Sequence, residues 1–201
     1  PLIDQPVYNS ITLISNGLIT GSNASGKSTF IKAVAINAIL AQSINTCTAN
    51  RLILSEAQVI TSMTVRDDLT AGESYYIKEI KYLNRIIQSF RRDRLVICVI
   101  DEILRGTNTK ERIAAAFAIL QYINRCNCIA LVATHDIELT ELLQDGYENY
   151  HFHETIKDRD ILFDYRLYNG PSDTQNAIKL LDYVGFPEDI IKDAQKWITF
   201  C

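Results

Sequence analysis

The sequence predicts an α/β fold in which helices flank a mainly parallel sheet. Apolar runs that suit fully buried strands alternate with stretches whose apolar residues recur every three or four positions. Polar residues follow two of these runs directly, which is where open parallel sheets gather their ligands. Such alternation of strands and helices is typical of a parallel sheet.

The N-terminal half is predicted to contain a strand and two helices. Residues 17–20 form a short apolar strand that leads into a glycine-containing loop. Residues 27–42 and 73–90 each carry apolar side chains at three- and four-residue steps, which places them on one face of a helix. Both helices are therefore predicted to be amphipathic.

The middle of the chain is predicted to supply two buried strands and the helix between them. Residues 94–102 form an apolar run that ends in two acids, and residues 128–136 repeat this pattern before a polar cluster. Runs of this kind suit strands that are buried on both faces. Residues 110–123, between them, have helical periodicity.

The C-terminal part is predicted to be a hairpin followed by a helical tail. Residues 147–168 alternate in polarity, which predicts an antiparallel hairpin closed around Lys-Asp-Arg-Asp. After a Gly-Pro-Ser-Asp break, two helices are expected at 174–184 and 187–198, separated by Gly-Phe-Pro. We therefore divide the chain into a main domain, residues 1–170, and a helix-turn-helix element, residues 171–201.

Charge and hydropathy restrict the possible partners. The chain has 201 residues and a net charge of −4, whereas a free-standing nucleic-acid binder is usually basic. The one basic cluster, residues 90–94, is better interpreted as a solvated helix end than as a DNA patch. No apolar run approaches the ~20 residues of a membrane span. The start, Pro-Leu-Ile-Asp-Gln, predicts a piece of a longer protein, so DNA contacts are expected outside this sequence.

The chain has five cysteines, an odd number, and no two of them form a C-x-x-C pair. Cys98 lies inside an apolar run and is predicted to be a reduced core thiol. Cys126 and Cys128, with His151 and His153, are an alternative metal site, but their spacings differ from those of zinc sites. This cysteine usage predicts a cytoplasmic protein.

The loop after the first strand fits the phosphate-binding pattern G-x-x-x-x-G-K-[ST] in full. Its glycines allow successive backbone N–H groups to face one concavity, and the following helix directs its positive end there. Lys27 is predicted to reach the β- and γ-phosphates of ATP, and Ser28 to bind Mg²⁺. The predicted nucleotide-binding residues are Gly21, Ser22, Asn23, Ala24, Ser25, Gly26, Lys27, Ser28 and Thr29. A fortuitous glycine turn is the alternative, which the flanking strand and helix disfavour.

Acidic residues end the buried strand at 94–102. Adjacent carboxylates there are costly unless a cation compensates them, and the phosphate loop suggests that this cation is Mg²⁺. Asp101 is predicted to hold the metal through its water shell, and Glu102 to polarise the attacking water. Alone, this Asp-Glu pair would equally suit a helix cap.

Two further residues are candidates because of their place in the chain. His135 ends the next strand, and neighbouring strand tips face the same phosphate, so its imidazole is predicted to contact the γ-phosphate or the attacking water. Ser74 lies at the start of a helix, where it is either an ordinary N-terminal helix residue or part of a second phosphate-binding site. In the second case, Ser74 and the helix N-terminus would bind a nucleotide held by another subunit.

The order of these segments resembles the ATPase domain of the MutS mismatch-recognition family, a member of the ABC-type P-loop ATPases. The resemblance covers about residues 17–197 and rests on AGESYYIKE, VIDEILRGTNT, VATHDIELT and the helical tail. Family members commonly read DEIGRGTST where this chain has DEILRGTNT, and ATHYxELT where it has ATHDIELT. The resemblance implies an α/β P-loop NTPase fold.

The resemblance also implies roles for individual residues. Asn23 matches a loop residue that responds to the nucleotide, and Lys27, Ser28, Asp101, Glu102 and His135 match the phosphate, Mg²⁺ and water-activating groups. Ser74 matches a residue that completes the partner's site, while Thr107 and Asn108 match a loop across the dimer interface. The tail is implied to pack on the other subunit of a homodimer.

Several positions depart from the family pattern. Ser22, Ala24 and Ser25 replace the usual Pro, Met and Gly, and Leu104 replaces a Gly beside the acids. The aromatic residue that stacks on adenine in many relatives is absent near position 6, and Tyr8 is a candidate replacement for it. The tail also lacks Ser-Tyr-Gly-Ile. These changes spare the phosphate chemistry and indicate a divergent branch.

The expected function is the Mg²⁺-dependent hydrolysis of ATP to ADP in a site shared by the two subunits of a dimer. In the mismatch repair protein, this reaction is expected to control DNA binding. One alternative is a MutS-like protein that acts in recombination or on other DNA structures. An ABC-type ATPase of the transporter or chromosome kind would need a Leu-Ser-Gly-Gly-Gln-like signature. A nucleotide-gated interaction module with negligible hydrolysis and a nucleotide-independent structural module are the remaining alternatives.

Overall fold

The computed structural model describes residues 4–63, 75–104, 107–157, 160–172 and 177–197. In chain order, its elements are β1 (Asn16–Thr20), α1 (Lys27–Ile44), β2 (Gln58–Ser62), α2 (Tyr75–Ser89), β3 (Val96–Asp101), α3 (Thr109–Asn124), β4 (Cys128–Ala133), α4 (Glu138–Leu142), β5 (Tyr147–His151), β6 (Glu154–Lys157), β7 (Asp160–Phe163), β8 (Tyr168–Asn169), α5 (Ala177–Val184) and α6 (Glu188–Trp197). Strands and helices alternate from β1 to β5. Across the described residues, no helix is long and apolar enough to cross a membrane.

The main sheet is mixed but mostly parallel, as predicted. Its strand order is β2-β3-β4-β1-β5-β8. In this spatial order, each neighbouring pair from β2 through β3, β4 and β1 to β5 is parallel. The last strand, β8, runs antiparallel to β5. β2 was not predicted from the sequence, because this short edge strand has only two apolar residues, Val59 and Ile60, and no residue of it is fully buried. The short helix α4 was also missed.

Helices cover both faces of the sheet because the side chains of each strand alternate. In β3, Cys98 and Ile100 join a core with residues of α2, α3 and α4. Ile97 and Val99 point the other way and pack with residues of α1. Cys98 is a buried free thiol, as predicted, and burial raises its pKa. The site described below lies at one edge of this three-layer core.

The predicted hairpin is correct at its tip and wrong at its base. β6 and β7 form an antiparallel pair with Lys157 opposite Asp160, so the chain reverses at the predicted point. β5, however, belongs to the main sheet and is parallel to β1. An alternating pattern predicts a half-buried strand but does not identify its partner, and β5 is buried by packing against β1.

The predicted tail contains two short helices that pack against each other, α5 and α6. α6 buries none of its described side chains. Apolar side chains on this tail are therefore exposed: Val184 (69%), Phe186 (44%), Ile190 (46%) and Trp197 (68%). An amphipathic helix with an exposed apolar face needs a further surface to cover that face.

Removal of a core side chain tests the packing of α3 on the sheet. Leu120 is fully buried, so Leu120→Ala is expected to lower the free energy of unfolding by about 2–5 kcal/mol. The exposed neighbour Gln121 supplies the control, because Gln121→Ala is expected to change the free energy of unfolding by less than about 0.5 kcal/mol. Urea unfolding monitored by circular dichroism measures both values, and equal effects would contradict this packing.

Candidate functional site

Backbone hydrogen bonds between strand ends bring the candidate residues to one edge of the sheet. The N–H of Glu102 donates to the carbonyl of Ala133 over 2.9 Å, and the N–H of Thr134 donates to Ile19 over 2.9 Å. The N–H of Phe152 donates to Thr20 over 3.0 Å. The segments that follow β1, β3 and β4 therefore meet at the same place, as the sequence predicts, and the segment after β5, which the sequence analysis placed in a hairpin, joins them.

The glycine loop joins β1 to α1 and requires left-handed backbone at three positions. The φ angles of Gly21, Ala24 and Gly26 are 137°, 66° and 112°. A Cβ atom at Gly21 would collide with the carbonyl oxygen of Phe152, so the loop also needs glycine there for space. Asn23 and Ala24 are exposed at the turn of the loop.

Lys27, the first residue of α1, is buried beneath this loop. Only 4% of its surface is exposed. Its Nζ donates hydrogen bonds to the carbonyl oxygens of Gly21 (2.6 Å) and Ser22 (2.7 Å). The ammonium group therefore lies against the loop, as a phosphate-binding lysine requires. Thr29, two residues further along α1, is exposed.

Ser28 and Asp101 come together at the carboxyl end of β3. The Ser28 Oγ donates to Asp101 Oδ1 over 2.8 Å, and Asp101 is 4% exposed. A hydroxyl and a carboxylate are hard oxygen ligands of the kind that Mg²⁺ prefers. Their proximity fits the predicted metal pair, which the sequence separates by 73 positions.

Two further groups of the loop have unusual surroundings. The Oγ of Ser25 is buried and makes no hydrogen bond within the described residues. The Oγ of Ser22 donates to Glu154 Oε2 over 2.6 Å, and Glu154 is 6% exposed. Sequence reasoning missed Glu154, because a single acid in an alternating strand looks like a solvated residue.

Glu102 and His135 are directly bonded. His135 Nδ1 lies 2.9 Å from Glu102 Oε2. This hydrogen bond raises the pKa of His135 above its ordinary value, although partial burial opposes the change. Glu102 has a φ of 62°, so its backbone is in the strained left-handed region just after β3. The candidate site therefore pairs a carboxylate with an imidazole at the sheet edge where the glycine loop begins.

Leu104 shows how the chain tolerates a departure from the family pattern. Its φ of 59° is left-handed, where glycine is favoured. The side chain is only 2% exposed and joins the core beside α3. Burial of a leucine contributes about 1.5–3 kcal/mol, which offsets the strain of about 1–2 kcal/mol.

The predicted interface residues are only partly described. Asn108 caps α3, and its Oδ1 accepts the N–H of Glu111 over 3.0 Å. Thr107 Oγ1 lies 3.3 Å from a carboxylate oxygen of Glu111. Both predicted residues therefore shape the entry to α3. Ser74 lies outside the described residues.

An aromatic residue that the sequence analysis missed borders the loop. A Cβ atom at Gly26 would lie 3.4 Å from the ring of Tyr165. Tyr165 is held by Asn9, which donates to its carbonyl over 2.9 Å. Tyr8, the predicted stand-in, precedes Asn9 and is 71% exposed. An aromatic residue in the segment between β7 and β8 carries no sequence signal that connects it with the loop.

The alternative zinc site is not assembled in the described part of the chain, where no group of three or more His, Cys, Asp and Glu side chains has metal-binding proximity. Cys126 Sγ lies 3.4 Å from the Tyr122 carbonyl, and Cys128 Sγ lies 3.2 Å from that of Ile123. Both thiols therefore contact the end of α3.

The sequence is similar to known proteins over most of its length. The family model of MutS domain V matches residues 17–200. DNA mismatch repair protein MutS of Pseudothermotoga lettingae is 33% identical over 89% of this chain and 22% of its own length. MutS protein homolog 4 of Homo sapiens is 31% identical over 98% of this chain and 22% of its own. DNA mismatch repair protein MutS of Streptococcus pyogenes serotype M1 is 32% identical over 98% of this chain and 24% of its own.

The chain belongs to the MutS family, and the part that it represents is domain V. It spans roughly a quarter or less of the length of these relatives, 22–24%. Membership in this family disfavours the alternative of a transporter or chromosome-maintenance ATPase.

The Glu102–His135 pair predicts a specific pH dependence. The hydrogen bond to Glu102 raises the pKa of His135 in the folded protein. The bond therefore stabilises the fold fully below about pH 6.5, the pKa of histidine in the unfolded chain. This stabilisation is lost as the pH rises through the pKa of His135 in the folded protein. Glu102→Gln is expected to lower the His135 pKa. NMR titration measures this, because the chain has only three histidines.

The matched control removes the same charge from the exposed tail, with Glu188→Gln. It is expected to leave the His135 titration unchanged, because Glu188 is exposed and pairs with Lys192 on α6. A His135 pKa that is equal in wild type and Glu102→Gln would contradict the contact.

Proposed function

We propose that this chain is the P-loop ATPase domain of a MutS-like DNA mismatch repair protein, which hydrolyses ATP to ADP and phosphate. The main support for the proposal is that Lys27, the Ser28–Asp101 pair and the Glu102–His135 pair meet at one edge of the sheet, where the glycine loop begins. Phosphate, metal and water-activating chemistry are the three requirements of phosphoryl transfer. Family membership supports the same reaction.

The glycine loop and α1 are proposed to bind the phosphates of ATP. The ammonium group of Lys27 already lies at the loop, where it can exchange carbonyl oxygens for phosphate oxygens. The Ser25 hydroxyl is buried and has no hydrogen-bond partner among the described residues, which supports a polar ligand here, since such groups are costly without a partner. Tyr165, with Tyr8 as the second candidate, is proposed to contact the adenine ring.

Ser28 and Asp101 are proposed to hold Mg²⁺. The residues fit the ion, because a buried carboxylate beside a hydroxyl supplies hard oxygen ligands and a negative charge that a cation would compensate. When bound, Mg²⁺ would neutralise charge on the phosphate oxygens. The two side chains would then bind the metal in place of their mutual hydrogen bond.

Glu102 is proposed to orient the attacking water and to accept its proton. Its side chain is 12% exposed, which retains contact with solvent at the sheet edge. His135 holds the Glu102 carboxylate by the hydrogen bond at Nδ1 and is proposed to contact the γ-phosphate or the water. The pair thus fixes the base next to the loop that holds the phosphates.

The active unit is proposed to be a homodimer in which each site is shared. Ser74 would complete the partner's site, Thr107 and Asn108 would lie at the interface, and the exposed apolar side chains of α5 and α6 would cover each other. Nucleotide state would then control closure and the grip on DNA, through parts of the protein beyond this domain.

A second candidate function keeps the ATPase but changes the DNA target. Some of the relatives are named DNA mismatch repair proteins, whereas the name of MutS protein homolog 4 does not mention mismatch repair. Together with Ser22, Ala24 and Ser25 in the loop, this supports a MutS-like protein that acts in recombination or on other DNA structures. An interaction module with negligible hydrolysis remains the candidate from another class.

Replacement of the proposed base separates the enzyme from the interaction module. Glu102→Gln keeps the side chain's size but removes its proton acceptor, so ATP turnover is expected to fall about 10²–10⁴-fold. ATP is still expected to raise the melting temperature of this variant. Glu141→Gln, at an exposed acid of α4, is the control and is expected to retain turnover. Unchanged turnover in Glu102→Gln would remove the catalytic role.

Dilution tests the shared site. Turnover per molecule is expected to fall as the protein is diluted, because each site would need a partner subunit. Ile190→Lys places a charge on the exposed apolar face of α6 and is expected to shift the sedimentation profile towards monomer. Gln195→Lys adds the same charge at a polar position of that helix and should not do so. High, concentration-independent turnover would contradict this assembly.

A further inference from the structure

A buried ion pair lies directly behind the Glu102–His135 pair. Arg112, in the first turn of α3, donates from Nη2 to Asp136 Oδ1 over 2.6 Å and from Nε to Oδ2 over 3.0 Å. The side chains are 13% and 4% exposed. This two-pronged geometry engages both oxygens of the carboxylate, which is the strongest form of an arginine–carboxylate contact.

Asp136 is also fixed through its backbone. Its N–H donates to Thr134 Oγ1 over 3.1 Å, and its carbonyl accepts the N–H of Leu139 at the start of α4 over 3.3 Å. The segment that carries His135 is therefore held on both sides, by β4 and by α4. Arg112 adds a third attachment, to α3.

Two carboxylates face the single imidazole of His135. Nδ1 lies 2.9 Å from Glu102 Oε2, while Nε2 lies 3.8 Å from Asp136 Oδ1. A carboxylate attracts an imidazole N–H most strongly when its charge is not already compensated. Because Arg112 compensates Asp136 and occupies both of its oxygens, Glu102 is the stronger partner for His135.

We propose that Arg112 is a positioning residue for the Glu102–His135 pair: by holding both oxygens of Asp136, it keeps the imidazole directed at Glu102. The hydrogen bond to Asp136 also raises the pKa of Arg112, which agrees with a strong contact. This inference rests on the proposed function, in which Glu102 is the base. Sequence reasoning had assigned no role to Arg112 or Asp136.

The test compares Arg112→Gln, Asp136→Asn and the double variant Arg112→Gln/Asp136→Asn. Lys110→Gln is the matched control, because this exposed lysine lies on the same helix and loses the same charge. The first measurement is the NMR spectrum of the His135 imidazole at one fixed pH, without nucleotide. Arg112→Gln is expected to shift its signals, because the uncompensated Asp136 then competes for the ring. The double variant and Lys110→Gln are expected to retain signals close to those of the wild type.

The second measurement is ATP turnover by the same proteins. Arg112→Gln is expected to lower kcat about 10-fold with little change in KM, because the base is displaced while the nucleotide loop is intact. The double variant is expected to recover most of kcat. Arg112→Lys is expected to retain less of the wild-type kcat than the double variant recovers, because a lysine ammonium group cannot bind both oxygens of Asp136 as the arginine guanidinium does.

The outcomes separate this inference from the proposed function. Absence of turnover in the wild type would overturn the ATPase proposal, while the NMR comparison would still decide the role of Arg112. Unchanged His135 signals in Arg112→Gln would overturn the positioning role. If Arg112→Gln fails to fold, Asp136→Asn decides: a shift of the His135 signals as large as in Glu102→Gln would overturn the role, and near-wild-type signals would support it.

Discussion

The burial of opposite charges at one sheet edge is the constraint on which this site depends. Lys27 and Asp101 are each 4% exposed, and ions that leave water need close partners. The carbonyls of Gly21 and Ser22 surround the ammonium, and the hydroxyl of Ser28 contacts the carboxylate. This arrangement is possible only because backbone bonds between strand ends bring the segments after β1, β3 and β4 together. The parallel sheet thus creates the site as well as the core.

The same edge concentrates backbone strain. Gly21 and Gly26 adopt left-handed φ at little cost, whereas Glu102 and Leu104 adopt it despite their side chains. Leu104 is stabilised by its burial beside α3, and Glu102 by its bond to His135. Strain of this kind persists where surrounding contacts fix the chain, and here the Glu102 carboxylate bonds to His135 after the neighbouring strand β4.

The sequence predicts the central strands well, because continuous apolar runs such as 96–101 have one reasonable structure. It also predicts that Glu102 and His135 lie at a common edge, since parallel strands end together. It does not predict β2, whose polar residues resemble a loop, or the parallel partner of β5, which depends on contacts far along the chain. The Arg112–Asp136 pair leaves no periodic signal, because two distant charges meet only in the folded protein.

The central claim is that Lys27, Ser28 and Asp101 form a nucleotide site, and calorimetric titration with Mg²⁺·ATP tests it most directly. We expect one saturable site in the wild type and loss of that site in Lys27→Met. Lys32→Met, which changes an exposed lysine of the same helix, is expected to retain it. Melting temperatures would show that the variants are folded. No binding by the wild type, or equal affinity in folded Lys27→Met, would contradict the account.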